Sequence, residues 1–342
     1  MTASVSPKAR QDPTPAQAEA DQRRRRRKLI ALLVLAAGLL ILILLFGWYL
    51  LFRQPINPLP VIPVSQVPKY STAIYGVKRP VGIAVSASGD RIYVTQTGQQ
   101  VEGMIFDGSG KPAGTLPWPD TKEHQSSYLA VDPKSGDVYV SDRPAGAIYV
   151  YNRDGTYQRQ FLLTPSRPGW QPIGLAFDAD GLLYVSDFSG PTQKALVVDR
   201  DGKVLRVMAE SDNLNFPNGI AVDSAGVTYV ADSNNGRLLY FGKDGALLGQ
   251  MGRGSGTATL GVPRGITVDN AGRVVTVDTT GGVVSVFGTY RTGVKTLSPL
   301  GSFGQLGSSD GMFAFPNGIA TDTRGRIYIA DTFNDRIQVW TY

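Results

Sequence analysis

Aspartates that recur at a nearly constant spacing are the first candidates for chemistry in this sequence. They are Asp142, Asp187, Asp232, Asp278 and Asp331, with Gln96 in the corresponding first place. Carboxylates can act as acids, bases or metal ligands, but equivalent positions repeated along a chain cannot all be catalytic. We therefore predict that each accepts backbone N–H bonds from the turn that follows it. Arg237 and Arg336, each five residues after an aspartate, are expected to form ion pairs across the same turns.

The chain contains no cysteine and one histidine, His124. The absence of cysteine excludes disulfides, thiolate metal sites and a cysteine nucleophile. A single histidine cannot supply a zinc site built from several imidazoles, although it could serve in a Ser-His-Asp triad. His124 lies in the polar segment PDTKEHQSSY, and we predict a surface loop position for it rather than a catalytic one.

A repeated pattern positions these residues. A Gly-Ile-Ala-Val-Asp run, a turn with glycine and an Ile-Tyr-Val-Ala-Asp run occur six times, at 81–96, 128–142, 173–187, 218–232, 264–278 and 317–331. The anchor residues of the second run recur every 45 or 46 residues, with one interval of 53: Tyr93, Tyr139, Tyr184, Tyr229, Val275 and Tyr328. Short β-branched and aromatic runs between turn residues are typical of strands. A third strand and a fourth, after an Asp-Gly turn, complete a predicted four-stranded propeller blade.

The two ends of the repeat array predict how the ring closes. The sixth copy runs through three strands to RIQVWTY. Residues 70–76, YSTAIYG, resemble the fourth strands of other copies, such as ALLGQMG at 246–252. We infer that they complete the sixth blade, which would remove the open sheet edges. The predicted fold class is therefore all-β, a six-bladed propeller over 70–342, preceded by one transmembrane helix.

An apolar segment precedes the repeats. Residues 29–52 carry no charge, and a helix of that length, about 36 Å, would cross a hydrocarbon core of about 30 Å. Basic residues from Arg23 to Lys28 come directly before it, so the positive-inside rule predicts a cytoplasmic N-terminus and an exported propeller. We predict a disordered basic tail (1–28), a transmembrane helix (29–52), a Pro-rich linker (53–69) and the propeller (70–342).

A cleavable signal peptide is the competing interpretation of this segment. Its apolar core would be shorter, and a small-x-small cleavage site would follow it, whereas the segment here ends in WYLLFRQP. We therefore favour an uncleaved signal anchor in the cell membrane, with the propeller extracytoplasmic. The net charge of +6 arises from the basic tail, and the chain from residue 54 onward is balanced in charge. This balance argues against a nucleic-acid partner for the propeller.

The repeats resemble NHL repeats. The best matches are FPNGIAVDSAGVTYVADSNNGRLLYF at 216–241 and FPNGIATDTRGRIYIADTFNDRIQVW at 315–340. The resemblance extends over 70–342 and implies a six-bladed propeller of the NHL type. It leaves the function open, because this architecture hosts scaffolds, sensors, lyases and lactonases.

In a propeller, the residues that begin the inner strands ring one mouth of the central channel. Here that ring is Val81, Ser127 or Tyr128, Ile173, Asn218, Arg264 and Asn317. In similar gluconolactonase-like propellers, carboxylates and asparagines near this ring bind a divalent metal. The ring here has no carboxylate, and Arg264 would repel a cation. Amidoglycolate lyases resemble NHL propellers more closely, but they use several histidines for zinc, which His124 alone cannot provide.

We therefore predict no metal and no cofactor. Asn218, Arg264 and Asn317 form a candidate polar site for a carboxylate, a phosphate or an acidic side chain of a partner. Ordinary hydrogen bonds at the strand entries, with Arg264 paired to a nearby aspartate, would explain the same residues without a ligand.

Two functions remain open at this point. The first is a membrane-anchored, extracytoplasmic scaffold that binds a protein or small ligand as a monomeric propeller without catalysis. The alternative is a metal-dependent hydrolase or lyase, gluconolactonase-like or amidoglycolate-lyase-like, acting in the channel. Loops of six blades that meet on one face favour the first. Trp118, Trp170 and Phe188 lie in connecting loops, where they would contact a partner or cap the blades.

Overall fold

The structure, a computed structural model, describes residues 26, 28–33, 35–44, 67–98, 101–253 and 260–342. The chain divides into two compact units, Met1–Asn57 and Pro58–Tyr342. In the first unit, the described residues 26, 28–33 and 35–44 are helical. Within the described ranges, no helix combines the length and the apolar character that crossing a membrane requires. The predicted span 29–52 lies partly outside these ranges, as do nearly all of the predicted tail and linker.

The second unit is built from six four-stranded antiparallel sheets, the predicted blades. Blade 1 comprises β2 (Pro80–Val85), β3 (Arg91–Gln96), β4 (Gly103–Asp107) and β5 (Pro112–Leu116), and blade 2 comprises β6 (Ser126–Val131), β7 (Val138–Asp142), β8 (Ala147–Tyr151) and β9 (Tyr157–Phe161). Blade 3 comprises β10 (Pro172–Phe177), β11 (Leu183–Asp187), β12 (Lys194–Val198) and β13 (Val204–Met208), and blade 4 comprises β14 (Pro217–Val222), β15 (Thr228–Asp232), β16 (Arg237–Phe241) and β17 (Leu247–Gly252). Blade 5 comprises β18 (Pro263–Val268), β19 (Val274–Asp278), β20 (Val283–Phe287) and β21 (Pro299–Phe303).

Blade 6 closes the ring with strands from both ends of the propeller. It comprises β22 (Pro316–Thr321), β23 (Arg326–Asp331), β24 (Arg336–Thr341) and β1 (Lys69–Ile74). Strand β1 pairs with β24 in antiparallel register, with Tyr70 opposite Trp340 and Ile74 opposite Ile337. The predicted closure is therefore confirmed, and β1 covers the edge that β24 would otherwise expose.

The inner strands form a ring and define two faces of the disc. Each inner strand, β2, β6, β10, β14, β18 or β22, contacts the inner strands of the blades before and after it. We call the face where these strands begin the entry face, and the opposite one, with the turns between first and second strands, the turn face. Because β1 runs antiparallel to β24, it begins at the turn face with Lys69. The described chain thus enters the propeller on the side opposite the start of the inner strands.

Buried hydroxyl groups join each inner strand to the next around the ring. In blades 1 to 3 the hydroxyl precedes the recurring Asp or Gln: Thr95, Ser141 and Ser186 donate to the carbonyl oxygens of Ser127, Ile173 and Asn218. In blades 4 to 6 it follows the recurring Asp: Ser233, Thr279 and Thr332 donate to the carbonyl oxygens of Pro263, Pro316 and Pro80. Every border between blades therefore has one such hydrogen bond. Its donor is either the residue before or the residue after the recurring Asp or Gln.

Apolar clusters fill the space between successive blades. One cluster, for example, joins Tyr139 and Ile148 of blade 2 to Leu183 and Val185 of blade 3. Corresponding clusters lie at the other five borders among the described residues. Each fully buried large side chain of this kind contributes about 1.5–3 kcal/mol. The alternating residues of the strands thus hold the disc together and fix the positions of the loops on its entry face.

Candidate functional site

The recurring aspartates have a structural role. Asp142, Asp187 and Asp278 accept backbone N–H groups of the following turn, as predicted. Asp232 and Asp331 instead bind the side-chain amides of Asn235 and Asn334 in that turn. The Oδ1 atom of Asp331, for example, accepts the backbone N–H of Ala314 at 2.8 Å. Asp187 accepts the N–H of Ser189 in the following turn at 3.0 Å and, at the same distance, that of Gln171 in the loop entering the same blade. Each carboxylate therefore fixes the loop that enters its blade, in addition to the turn after it. Gln96 makes the equivalent bond in blade 1 to the N–H of Lys78.

The two predicted ion pairs are confirmed. Arg237 Nε lies 2.7 Å from Asp232 Oδ2, and Arg336 Nε lies 2.8 Å from Asp331 Oδ2. Both carboxylates are fully buried. The Arg336 guanidinium also donates to the carbonyl oxygens of Ser309 and Met312, so it holds the loop that enters blade 6. These two pairs therefore serve the fold.

The prediction of a surface position for His124 was wrong. The side chain is buried, with 2% of the residue exposed, because its ring stacks on Trp118 at 4.6 Å between centroids. Its Nδ1 lies 2.9 Å from Asp142 Oδ2, and its Nε2 lies 2.8 Å from Asp120 Oδ1. His124 thus takes, in blade 2, the role that arginine has in blades 4 and 6.

Asn218 and Asn317 lie at the channel mouth, at the start of their inner strands, and both are buried. Their Nδ2 atoms donate to Ser233 Oγ and Thr332 Oγ1, each at 2.8 Å. The amide donors therefore bind the hydroxyls that link the blades. This contact explains why asparagine stands there in both blades, without any ligand.

Arg264, in the inner strand of blade 5, lies beside Asn317. Its Nη1 donates to Asn317 Oδ1 at 2.9 Å, and its guanidinium stacks over the ring of Phe315, 5.1 Å from the centroid. Its Nε is buried and has no hydrogen-bond partner. Among the described residues no acidic side chain forms an ion pair with Arg264, in contrast to Arg237 and Arg336. The structure thus brings Arg264 and Asn317 together and leaves part of the guanidinium unused.

Tyr128 is the residue of the mouth that the sequence named only as an alternative to Ser127. It lies in the inner strand of blade 2 at the position that is glycine in the other five blades. There, a Cβ atom on Gly174 would overlap the carbonyl oxygen of Asn218 in the next blade. The Tyr128 hydroxyl is buried without a hydrogen-bond partner. Burial raises its pKa to about 12, and the positive charge of Arg264 opposes that rise.

Two stacked phenylalanine rings, each with an arginine over it, extend from the mouth across the entry face. The rings of Phe315 and Phe333 are nearly parallel, at 11° and 4.8 Å between centroids. Arg264 lies over Phe315 at 5.1 Å, and Arg79 lies over Phe333 at 5.2 Å. Phe333 is 56% exposed. We call these four residues the Arg–Phe stack, which begins with Arg264 at the channel mouth.

The loop aromatics named from the sequence cap the blades. Trp170 is buried, and Trp118 packs on the core between blades 1 and 2. Phe188 is half-buried beneath Arg143, 5.5 Å from its centroid, and meets Phe216 edge-on. A groove of about 430 Å³ passes the loop around Trp170, away from the channel mouth. Within the described residues, no three His, Asp or Glu side chains are grouped so that they could hold a metal ion.

Comparison with known proteins agrees with this geometry. The NHL repeat family matches residues 214–241 and 313–340, which lie in blades 4 and 6. The chain is an NHL-repeat β-propeller. The NHL repeat-containing protein 3 of Mus musculus is 28% identical to this NHL propeller over 180 residues, 47% of this chain. The match spans 51% of that relative, so the chain corresponds to about half of its length.

Solved structures share the fold of the NHL propeller at low sequence identity. Virginiamycin B lyase from Staphylococcus aureus is 16% identical, with a TM-score of 0.57, over 80% of this chain and all of its own. A chain of the nidogen/laminin complex is 20% identical, with a TM-score of 0.52, over 62% of this chain and 76% of its own. At these identities the similarity shows the architecture and says nothing about the site.

The family match also separates repeated features from individual ones. The matched residues of the NHL propeller include Asn218 and Asn317 with their hydroxyl partners. Arg264 and Tyr128 lie outside the matched residues. The contacts that recur in the matched blades stabilise the fold, whereas Arg264 Nε and the Tyr128 hydroxyl lack a partner and lie in blades 5 and 2. A break in the glycine pattern at Tyr128 was the sequence signal for the second of them.

Proposed function

We propose that this protein is a membrane-anchored, extracytoplasmic recognition module that binds its partner with the entry face of the propeller and does not catalyse a reaction. The observation that carries this proposal is the Arg–Phe stack. Its exposed end, Phe333, offers an apolar surface, and Arg79 and Arg264 are positively charged donors beside it. Aromatic residues, including phenylalanine, and arginine are enriched in protein interfaces relative to the rest of the surface.

The placement of the chain ends supports this use of the entry face. The anchor predicted over 29–52 would connect through the linker to β1, which begins at the turn face. The described chain therefore enters the propeller on the side away from the Arg–Phe stack. The charge balance of the chain after residue 53 favours a discrete contact over a broad electrostatic surface.

Single-cysteine labelling tests the proposal cleanly, because the natural chain has no cysteine. Thr280→Cys places a thiol on the entry face, in the exposed turn between β19 and β20 and outside the Arg–Phe stack, and Lys134→Cys places one on the turn face as the matched control. In intact cells, we expect a membrane-impermeant thiol reagent to label both. A thiol-directed cross-linker should join a partner to the first variant and not to the second. Equal cross-linking from both faces, or protection of both thiols from the reagent, would contradict the proposal.

A second candidate is a lyase or hydrolase that works in the channel, possible in principle because virginiamycin B lyase has the same architecture. The described residues offer no metal cluster for it, and His124 is enclosed by two carboxylates. Thermal unfolding of the full-length protein with calcium, magnesium or zinc, against a chelator, separates the two functions. A metal bound at 100 times its dissociation constant would add about 2.7 kcal/mol to the free energy of unfolding. We expect no such shift, and a clear one would favour the enzyme.

A further inference from the structure

We infer that the channel mouth binds one carboxylate group, held between the unused edge of the Arg264 guanidinium and the Tyr128 hydroxyl. The inference rests on the proposed recognition function and names the chemistry that the entry face recognises. It assigns Tyr128 a binding role in addition to that of Arg264.

Arg264 is positioned in advance for an anion. Asn317 holds Nη1, and Phe315 supports one side of the guanidinium plane. The remaining edge consists of Nε, which is buried without a partner, and Nη2, which makes no hydrogen bond to the described residues. A guanidinium edge of this kind presents two parallel N–H groups, the geometry that matches the two oxygens of a carboxylate. A buried donor left without an acceptor is unfavourable, so an anion at this edge satisfies it.

Tyr128 provides the opposite wall of the same site. Blades 2 and 5 face each other across the ring of inner strands, so Tyr128 and Arg264 lie on opposite sides of the channel. The Tyr128 residue is 8% exposed, and its hydroxyl has no partner. Arg264 is the charged group whose field acts on this hydroxyl. Since burial keeps the hydroxyl protonated at neutral pH, it can donate a third hydrogen bond to a ligand between the two residues.

The charge and the donors favour a carboxylate over other ligands. Arg264 carries one positive charge, which one carboxylate neutralises, whereas a phosphate dianion would leave excess negative charge in a desolvated site. A cation would be repelled by Arg264. The Phe315 ring beside the guanidinium gives the body of an organic acid an apolar surface to lie against. The carboxylate could belong to a free organic acid or to an acidic residue or C-terminus of a partner protein, and the probes below separate these sources.

The test is a calorimetric titration of the full-length protein in detergent with benzoate, with neutral benzamide as the isosteric control. We expect saturable binding of benzoate and none of benzamide. Arg264→Gln should weaken benzoate binding about 10- to 100-fold and Tyr128→Phe about 10-fold, since each removes hydrogen bonds to a charged group. Arg291→Gln, at an exposed arginine on the turn face, should leave the affinity unchanged. A peptide with a free C-terminus that binds more tightly than benzoate, and loses this advantage as the C-terminal amide, would identify a protein source.

Tyr128→Phe also has an expected effect without ligand. Because it removes a buried hydroxyl that has no partner, the thermal midpoint of the free protein should not fall, and any benzoate-dependent rise should shrink. Should Arg264→Gln fail to fold, the benzoate and benzamide titrations of wild type and Tyr128→Phe still decide the matter. Benzamide binding as well as benzoate, full affinity in Tyr128→Phe and Arg264→Gln, or no carboxylate-dependent binding of either probe would overturn the inference. Cross-linking from position 280 could still succeed in that case, so the proposed function would fail or survive separately.

Discussion

The two halves of the ring make the same connection between blades but differ in what they present to the channel. Blades 1 to 3 use the hydroxyl before the recurring Asp or Gln, and the second residues of their inner strands are Val81, Ser127 and Ile173. Blades 4 to 6 use the hydroxyl after the Asp, and the second residues of their inner strands are Asn218, Arg264 and Asn317. Cohesion is therefore shared around the whole ring, whereas the polar groups of the mouth belong mainly to one half.

The hydroxyl position and the polarity of the mouth are physically coupled. In blades 4 and 6 the hydroxyl after the aspartate donates to a proline carbonyl and accepts the asparagine Nδ2 at the same time. In blades 2 and 3 the hydroxyl before the aspartate binds backbone groups of the inner strands, as Ser141 does with Tyr128 N and Ile173 O. The first arrangement satisfies a buried amide at the strand entry. The second arrangement needs no side-chain donor at the strand entry. The entry residue can then be apolar, as Ile173 is, and the residue after it can be aromatic, as Tyr128 is.

The largest difference between the halves should appear at the recurring aspartate. Asp331→Ala removes the carboxylate that accepts from Arg336, Asn334 and Gln338. It leaves Arg336, whose side chain is 5% exposed, with the largely exposed Asp310 as its remaining carboxylate partner among the described residues, at a cost of about 3–5 kcal/mol. Asp142→Ala should cost about 1–3 kcal/mol, because His124 keeps Asp120 as a partner. Denaturant unfolding of the full-length protein measures both. Equal losses would contradict this difference and would show that His124 stabilises blade 2 as much as arginine stabilises blade 6.

In blade 5, the hydroxyl can be moved from the position after Asp278 to the position before it by exchanging threonine and valine, which have the same shape. Thr279→Val removes the bond to Pro316 O and should cost about 1–2 kcal/mol, since a buried acceptor is left unsatisfied. Adding Val277→Thr places a hydroxyl where blades 1 to 3 have theirs, within reach of the Asn317 carbonyl, and should recover about 1 kcal/mol. Unfolding free energies of the single and double variants give the coupling. A double variant no more stable than Thr279→Val would mean that the two positions are not interchangeable.

The smallest expected effect is the loss of stability at low pH through Asp90. In blade 1, the Ser88 and Ser86 hydroxyls and, to a lesser degree, Arg153 of blade 2 hold the pKa of Asp90 well below its ordinary value. A carboxyl whose folded pKa is lowered contributes stability that is fully present above its unfolded pKa of about 3.9 and is lost progressively as the pH falls from there through the lower folded pKa. The thermal midpoint of Asp90→Asn should therefore lie below that of wild type at neutral pH, and the difference should begin to shrink below pH ~4 and keep shrinking as the pH is lowered further. Asp201→Asn, on an exposed turn, is the control, and a difference independent of pH would argue against this role.

Local spacing was enough to predict the roles of residues whose partners are near in sequence. Arg336 lies five residues from Asp331 across one turn, so the ion pair followed from the repeat alone. His124 was placed wrongly because its burial depends on Trp118 and on Asp142, 18 residues away, which fold over it from the blade core. The polar sequence of the loop around His124 does not indicate that distant residues bury its side chain.

The sequence by itself predicted the six-bladed ring, its closure by residues near both ends of the repeats, and the structural role of the recurring aspartates. These features follow from strand periodicity and from contacts within one repeat, which are encoded locally. Only the tertiary structure showed that Arg264 and Tyr128 lie on opposite sides of the channel, each with a polar atom that has no hydrogen-bond partner. It also showed that the amides of Asn218 and Asn317 donate hydrogen bonds to the hydroxyls that link the blades. Their positions depend on how six blades close around one axis, because residues 136 positions apart meet only when the ring is complete.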